Sequence, residues 1–161
     1  GKKVLQDNMT GLKDLVTGSF VEPGLWNKLF RRQLFDNLIA NNLMDMGIRY
    51  SEDFLMNYLL FSQSKLSVYE DFCPYHYILR KGSAATSTLN EHKLKDPVRV
   101  MRIIQQDSMA IPEVNSVVEE RLIRQLIGIS ILSVEKQGEL IRPFRKEIRN
   151  ELRKKLKSIL I

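Results

Sequence analysis

Apolar residues recur at spacings of three and four along the last 65 or so positions of the chain. Val98, Met101 and Ile104 make one run. Val114, Val117, Val118, Leu122, Leu126 and Ile129 make a second. Ile141, Phe144, Ile148, Leu152, Leu156 and Ile159 make a third. This is the period of a helix with one buried face, and it rules out a strand-rich fold for this part. The punctuation agrees with three separate helices. Asp96-Pro97 reads as a cap followed by a first helical residue, Ile111-Pro112 as a second start, and Gly138 as the break after a helix running to about Gln137.

The first 95 residues are less regular. Lys3 to Leu15 carries Val4, Leu5, Met9, Leu12 and Leu15, a spacing that predicts a short amphipathic helix ended at Gly18-Ser19. Val21-Glu22-Pro23-Gly24 reads as a turn. Leu25 to Phe30 reads as an extended segment burying Leu25 or Trp26, and Arg31 to Leu38 as a turn or two of helix. Loop is expected at Asn37 to Asn42 and at Asp45-Met46-Gly47. Ser51 is a candidate N-cap whose hydroxyl would accept a backbone N–H at the start of a helix from Glu52 to about Gln63. Phe54, Leu55, Tyr58 and Leu59 would be its buried stripe. Strands are predicted at Leu66–Tyr69 and Tyr75–Leu79, and a polar loop from Lys81 to Glu91. The expected fold is mainly α with a few short β-strands. Those strands are too few for a sheet of their own and should lean on one outside the chain. The division expected is 1–92 and a helical extension, 93–161.

Composition narrows the class. With 161 residues and 43% apolar content, the chain can bury a real core. No apolar block approaches the roughly 18 residues that span a bilayer, and no signal peptide precedes the first polar stretch. A lone Cys73 forbids an internal disulfide and fits a reducing compartment. The start at Gly1, not Met, suggests a piece of something longer. The net charge is +6, and from Glu139 onward eight basic residues face three acidic ones, so the basicity belongs to the last helix. No phosphate-binding glycine loop, dinucleotide fingerprint, zinc-spaced Cys/His set, nucleophile elbow or Asp-x-Asp is present.

Several residues carry chemistry worth weighing. Glu52 and Asp53 sit where a loop gives way to an apolar helix. A carboxylate there can serve as a general base, or simply complement the helix dipole. Trp26 beside Asn27 and Lys28 can be a platform for a sugar ring or a core residue. Lys28, Arg31 and Arg32 can meet phosphate or line a solvated face. Arg80 and Lys81 precede Gly82-Ser83, where a small residue permits close approach to a diphosphate. His76 is a candidate metal ligand or an ordinary surface histidine.

Three passages, taken in order, resemble family-2 glycosyltransferases of the GT-A fold, the bacterial type that builds cell-surface polysaccharides. Trp26-Asn27-Lys28-Leu29-Phe30-Arg31-Arg32 is similar to that family's WNKLYRR segment. Ser51-Glu52-Asp53-Phe54-Leu55-Met56-Asn57 is similar to GEDxxFN, with Ser51 where Gly is usual. Tyr75-His76-Tyr77-Ile78-Leu79-Arg80-Lys81-Gly82-Ser83-Ala84 is similar to YYYRxRxGSxT, with Ile78 where Arg is common. The resemblance covers about residues 18 to 86. It implies the C-terminal half of a GT-A type α/β enzyme followed by a helical tail. Asp53, with Glu52 beside it, would be the catalytic base of an inverting transfer. Trp26, Asn27, Lys28, Arg80 and Ser83 would line the substrate side. A nucleotide sugar would be the donor and a glycan or lipid-linked sugar the acceptor. A divalent metal (Mg or Mn) would be held in a donor-binding half that this chain lacks, so the chain alone is expected to be inactive. The implied location is cytoplasmic, at most peripheral to the membrane.

A second class competes: a free-standing helical interaction module whose basic amphipathic tail, residues 139–161, binds an anionic membrane surface or a partner protein. Nucleic acid is the weaker partner for that tail, which offers bases no aromatic platform beyond Phe144 in its apolar stripe. Self-association is also open, since a sheet contact left uncovered would favour it.

Overall fold

The computed structural model describes residues 1–41, 47–83, 86–131 and 138–159. The expected loop at Asp45-Met46 and the end of the long helix beyond residue 131 lie outside them. The chain divides into two units, Gly1–Leu89 and Asn90–Ile161. Among the described residues it is mainly helical, with one two-stranded antiparallel sheet.

In the first unit, β1 (Lys3–Asp7) leads into α1 (Asn8–Thr17), followed by α2 (Arg32–Ala40), α3 (Glu52–Ser62) and β2 (Leu66–Glu70). The helix predicted from Lys3 is therefore a strand for its first five residues. Two things overrule the helical spacing. β2 supplies a partner in register, with Leu5 opposite Val68 and Asp7 opposite Leu66. Asp7 then caps α1, its Oδ1 accepting the Thr10 N–H at 2.8 Å, so the helix cannot begin earlier. Buried Gln6 donates to Asp14 Oδ2 at 2.7 Å and accepts from Ser67 Oγ at 3.3 Å, stitching β1, α1 and β2 together. The sheet expected outside the chain is thus met, for β2, by the chain's own first strand.

Tyr75–Leu79, predicted as a strand, is irregular and exposed throughout. Leu25–Phe30 is a turn rather than an extended segment, and Trp26 is 42% exposed. The core of this unit comes from Leu12, Leu15 and Val16 of α1 against Phe54, Leu55, Tyr58 and Phe61 of α3, with Leu38 of α2. Asn8 fastens the far end of α3, donating through Nδ2 to the carbonyls of Phe61 (2.8 Å) and Ser64 (2.6 Å).

The second unit holds α4 (Glu91–Ser108), α5 (Pro112–Ile131) and α6 (Gly138–Ile159), with α5 packed against both others. α4 begins five residues before the predicted Asp96-Pro97 start. Asn90 is the cap, its Oδ1 accepting from Lys93 N at 2.9 Å, and Pro97 lies inside the helix in its second turn. Asp96, read as a cap, is buried with His92 Nδ1 at 3.1 Å, one turn back. The periodic stripes are buried over most of their length (Val98, Met101 and Ile104; Val114, Val118, Leu122, Leu126 and Ile129; Ile141, Phe144, Ile148 and Leu152), whereas Val117 is half-buried and Leu156, expected in the last stripe, is 47% exposed. Arg102 of α4 bridges to Glu147 at 2.8 Å and to Glu151 of α6. No helix among the described residues is long and apolar enough to cross a membrane.

Candidate functional site

The site is assembled around the start of α3. Ser51 precedes it with φ 64° and ψ 17°, a left-handed conformation that disfavours side chains with a Cβ. It is the position where the resembled motif has Gly. The expected hydroxyl cap is not made. The Ser51 carbonyl accepts from Leu55 N at 3.1 Å, and Asp53 Oδ1 takes up one free N–H of the first turn, that of Phe54, at 2.7 Å. Asp53 is half-buried and Glu52 exposed, so the two acids, equivalent in sequence, are not equivalent in space. Replacing Ser51 by Gly removes the strained Cβ and is expected to stabilise the first unit by about 1 kcal/mol, read as a higher urea midpoint with unchanged slope.

The turn that carries Trp26 lies against this helix start. Asn57, fully buried one turn into α3, donates through Nδ2 to the Pro23 carbonyl at 2.5 Å and to the Asp53 carbonyl at 2.9 Å. Lys28 closes the turn on itself. Its Nζ donates to the Gly24 carbonyl at 2.6 Å, to Asn27 Oδ1 at 2.8 Å and to the Glu22 carbonyl. All three ammonium donors are therefore taken up inside the loop. In this arrangement Lys28 and Asn27 hold the loop's shape. Gly24 is needed here, because a Cβ on it would collide with the Trp26 indole.

Burial pushes the Lys28 ammonium from 10.5 down to about 8, opposed by the carboxylates of Glu22 and Asp53. The folded value lies below the unfolded one, so between these limits the folded chain binds fewer protons on this group. Stability on its account is flat below about 8 and rises with pH from about 8 to about 10.5. The difference in unfolding free energy between wild type and Lys28→Met, followed through the sole tryptophan, is expected to climb across that window.

Trp26 reaches the third segment. Its ring stacks, tilted, on Tyr75 at 5.0 Å and Tyr77 at 5.2 Å between centroids. Beyond it an open cleft of about 350 Å³ is lined by Tyr75, His76, Tyr77, Ile78, Arg80 and Ser83. The floor of that loop is a fixed turn. Gly82 sits at φ 79°, Ser83 N and Thr86 Oγ1 both donate to the Arg80 carbonyl (3.2 and 2.7 Å), and Ser83 Oγ meets Thr86 Oγ1 at 3.1 Å. Ser87 Oγ, at its end, pairs with Tyr50 Oη at 3.3 Å, one residue before Ser51. Among the described residues no carboxylate pairs with the Arg80 guanidinium.

The three segments read from the sequence are thus tied together: Trp26 to Tyr75 and Tyr77, Pro23 to Asn57, and Tyr50 to Ser87. Arg80, Ser83 and His76 share the cleft, whereas Glu52 and Asp53 are not among its lining residues. His76 is exposed, and among the described residues no group of three or more His, Cys, Asp or Glu is arranged to hold a metal ion. Sequence reasoning missed Asn57 as the tie between loop and helix, and Tyr75 and Tyr77 as the platform under Trp26. The signal for the first was a polar side chain on the apolar face of α3. For the second it was the alternation of aromatics at 75 and 77. Compared with models of known protein families, with curated proteins and with solved structures, the chain matches none.

Proposed function

We propose that the chain is the acceptor-side portion of an inverting glycosyltransferase of the GT-A type, carrying the base and a sugar platform. The observation that carries this reading is the joining of the three resembled segments at the start of α3. Trp26, from the first, stacks on tyrosines of the third. Asn57, from the second, donates to the Pro23 carbonyl just ahead of the first. Segments far apart in sequence are brought together by ring contacts and by a hydrogen bond from Asn57 to the loop before Trp26. In the reaction, Asp53 removes the proton from an acceptor hydroxyl. The acceptor oxygen forms a bond to the anomeric carbon as the bond from that carbon to the nucleotide diphosphate breaks, on the opposite face, and the proton stays on Asp53.

The aromatic wall suits the apolar face of a sugar ring, and Arg80, with Ser83 beside it, suits an anionic substituent on it. A divalent metal, supplied with the donor-binding half, would neutralise the leaving diphosphate. Such an enzyme works in the cytoplasm on nucleotide sugars. The test is sugar transfer by the polypeptide that joins this chain to its donor-binding half, with Asp53→Asn alongside. Transfer that is unaffected by the substitution removes Asp53 as the base, and absence of any nucleotide-sugar turnover removes the enzyme reading.

A further inference from the structure

The structure sorts the charges of α6 in a way the sequence does not display. Its apolar residues Ile141, Phe144, Ile148 and Leu152 are buried within the second unit. The stripe that an interfacial helix would present to lipid is therefore already used. Glu147 and Glu151 lie on the flank, where both are engaged by Arg102. Six cations of α6 are exposed: Lys154 to one side and, along one face, Arg142, Lys146, Arg149, Arg153 and Lys157. At 3.6 residues per turn these five fall within about 80° of arc and extend for about 22 Å. Among the described residues no carboxylate pairs with any of them. Glu147 and Glu151 are thus spent on one side, and these five cations lie on the other.

We infer that this stripe is a docking surface for an anionic bilayer, held by headgroup charge and not by insertion. The occupant follows from the shape and chemistry of the face. It is a straight row of cations on one helix, able to lie along a plane of phosphates. Leu156, 47% exposed, borders the row at its C-terminal end. Phe144, the only aromatic residue of α6, is buried, so the outer face offers no ring on which a base would stack. The inference stands independently of the glycosyltransferase reading.

The experiment is co-sedimentation of the intact chain with vesicles of phosphatidylcholine alone or with about 30 mol% phosphatidylglycerol, an anionic content that sets the surface potential. The chain is expected to sediment with the anionic vesicles only, and to be released between about 0.05 M and about 0.5 M salt as the screening length falls. Each cation near such a surface contributes about fivefold in partitioning. Arg142→Gln, Arg149→Gln and Arg153→Gln together should therefore weaken binding roughly 100-fold. The control Arg31→Gln, Lys65→Gln and Lys81→Gln removes the same charge elsewhere and should leave binding nearly intact. If the first triple variant does not fold, Arg149→Gln and Arg153→Gln singly, each down about fivefold, replace it. Equal binding to both vesicle types overturns the inference. So does equal loss in the two triple variants, which would make it an effect of net charge. Tighter retention on a duplex oligonucleotide at the same salt overturns it too, and assigns the stripe to nucleic acid.

Discussion

Leu122→Ala is expected to lower the stability of the second unit by about 3 kcal/mol, within the range of about 2–5 for truncating a buried leucine. Leu122 is fully buried midway along α5, the helix packed against both α4 and α6. A cavity there faces two neighbouring helices, and neither can close it without leaving the other. The loss is a large share of the roughly 5–15 kcal/mol that holds an ordinary domain. It should appear in urea unfolding followed by far-ultraviolet circular dichroism, as a lower midpoint with unchanged slope. By contrast the ion pairs from Arg102 to Glu147 and Glu151 span α4 and α6 at a partly exposed site, 37% for the arginine. Exposed pairs contribute about 0–1 kcal/mol. The unit is held by its three apolar stripes, and the bridges chiefly fix which face of α6 turns outward.

Asp53→Asn should reduce sugar transfer by about 10²–10⁴-fold in kcat, the usual contribution of a positioned general base. The amide keeps the shape of the side chain, and its oxygen can still accept the Phe54 N–H that Asp53 holds at 2.7 Å. The fold and donor binding should therefore survive, and the loss should fall on kcat with KM for the nucleotide sugar nearly unchanged. Glu52→Gln is the internal comparison. Glu52 is exposed, and no bond fixes its carboxylate toward the Lys28 loop. A loss confined to Asp53 identifies the base; an equal loss at both positions means that the helix start responds only to negative charge.

How much of this was legible depended on how local the cause was. The stripes of α4, α5 and α6 could be read because each helix buries one face and the period repeats over several turns. The end of α1 was readable because Gly18 takes the left-handed conformation that stops a helix, and the strand at Leu66 from its β-branched and aromatic residues. β1 was misread because Val4 and Leu5 fit either period. What decides between them is a partner more than 60 residues away, Leu5 against Val68. The start of α4 was misread because Asp96-Pro97 is a good cap signal in isolation. Asn90 is an equally good cap and stands ahead of buried Leu94. At the site, the pairing of segments came from resemblance and not from pattern. The bonds that tie them, Asn57 to Pro23 and Trp26 to its two tyrosines, are non-local and leave no period behind. The tail illustrates the converse. Its excess of cations was plain in the sequence, yet which of them stand unopposed depends on Arg102, some forty positions upstream.

The ladder between β1 and β2 has a consequence for synthesis. β1 emerges from the ribosome long before its partner exists. At about 5–20 residues per second, the roughly 60 residues that separate the strands take some three to twelve seconds to add. Throughout that interval Val4, Leu5 and Gln6 have no edge to join, and Gln6 has no Ser67 to bond. The second unit, whose helices pack on neighbours in sequence, faces no such delay. In the nascent chain β1 needs shelter until its partner is made, and that vulnerability ends only when residue 70 has cleared the exit.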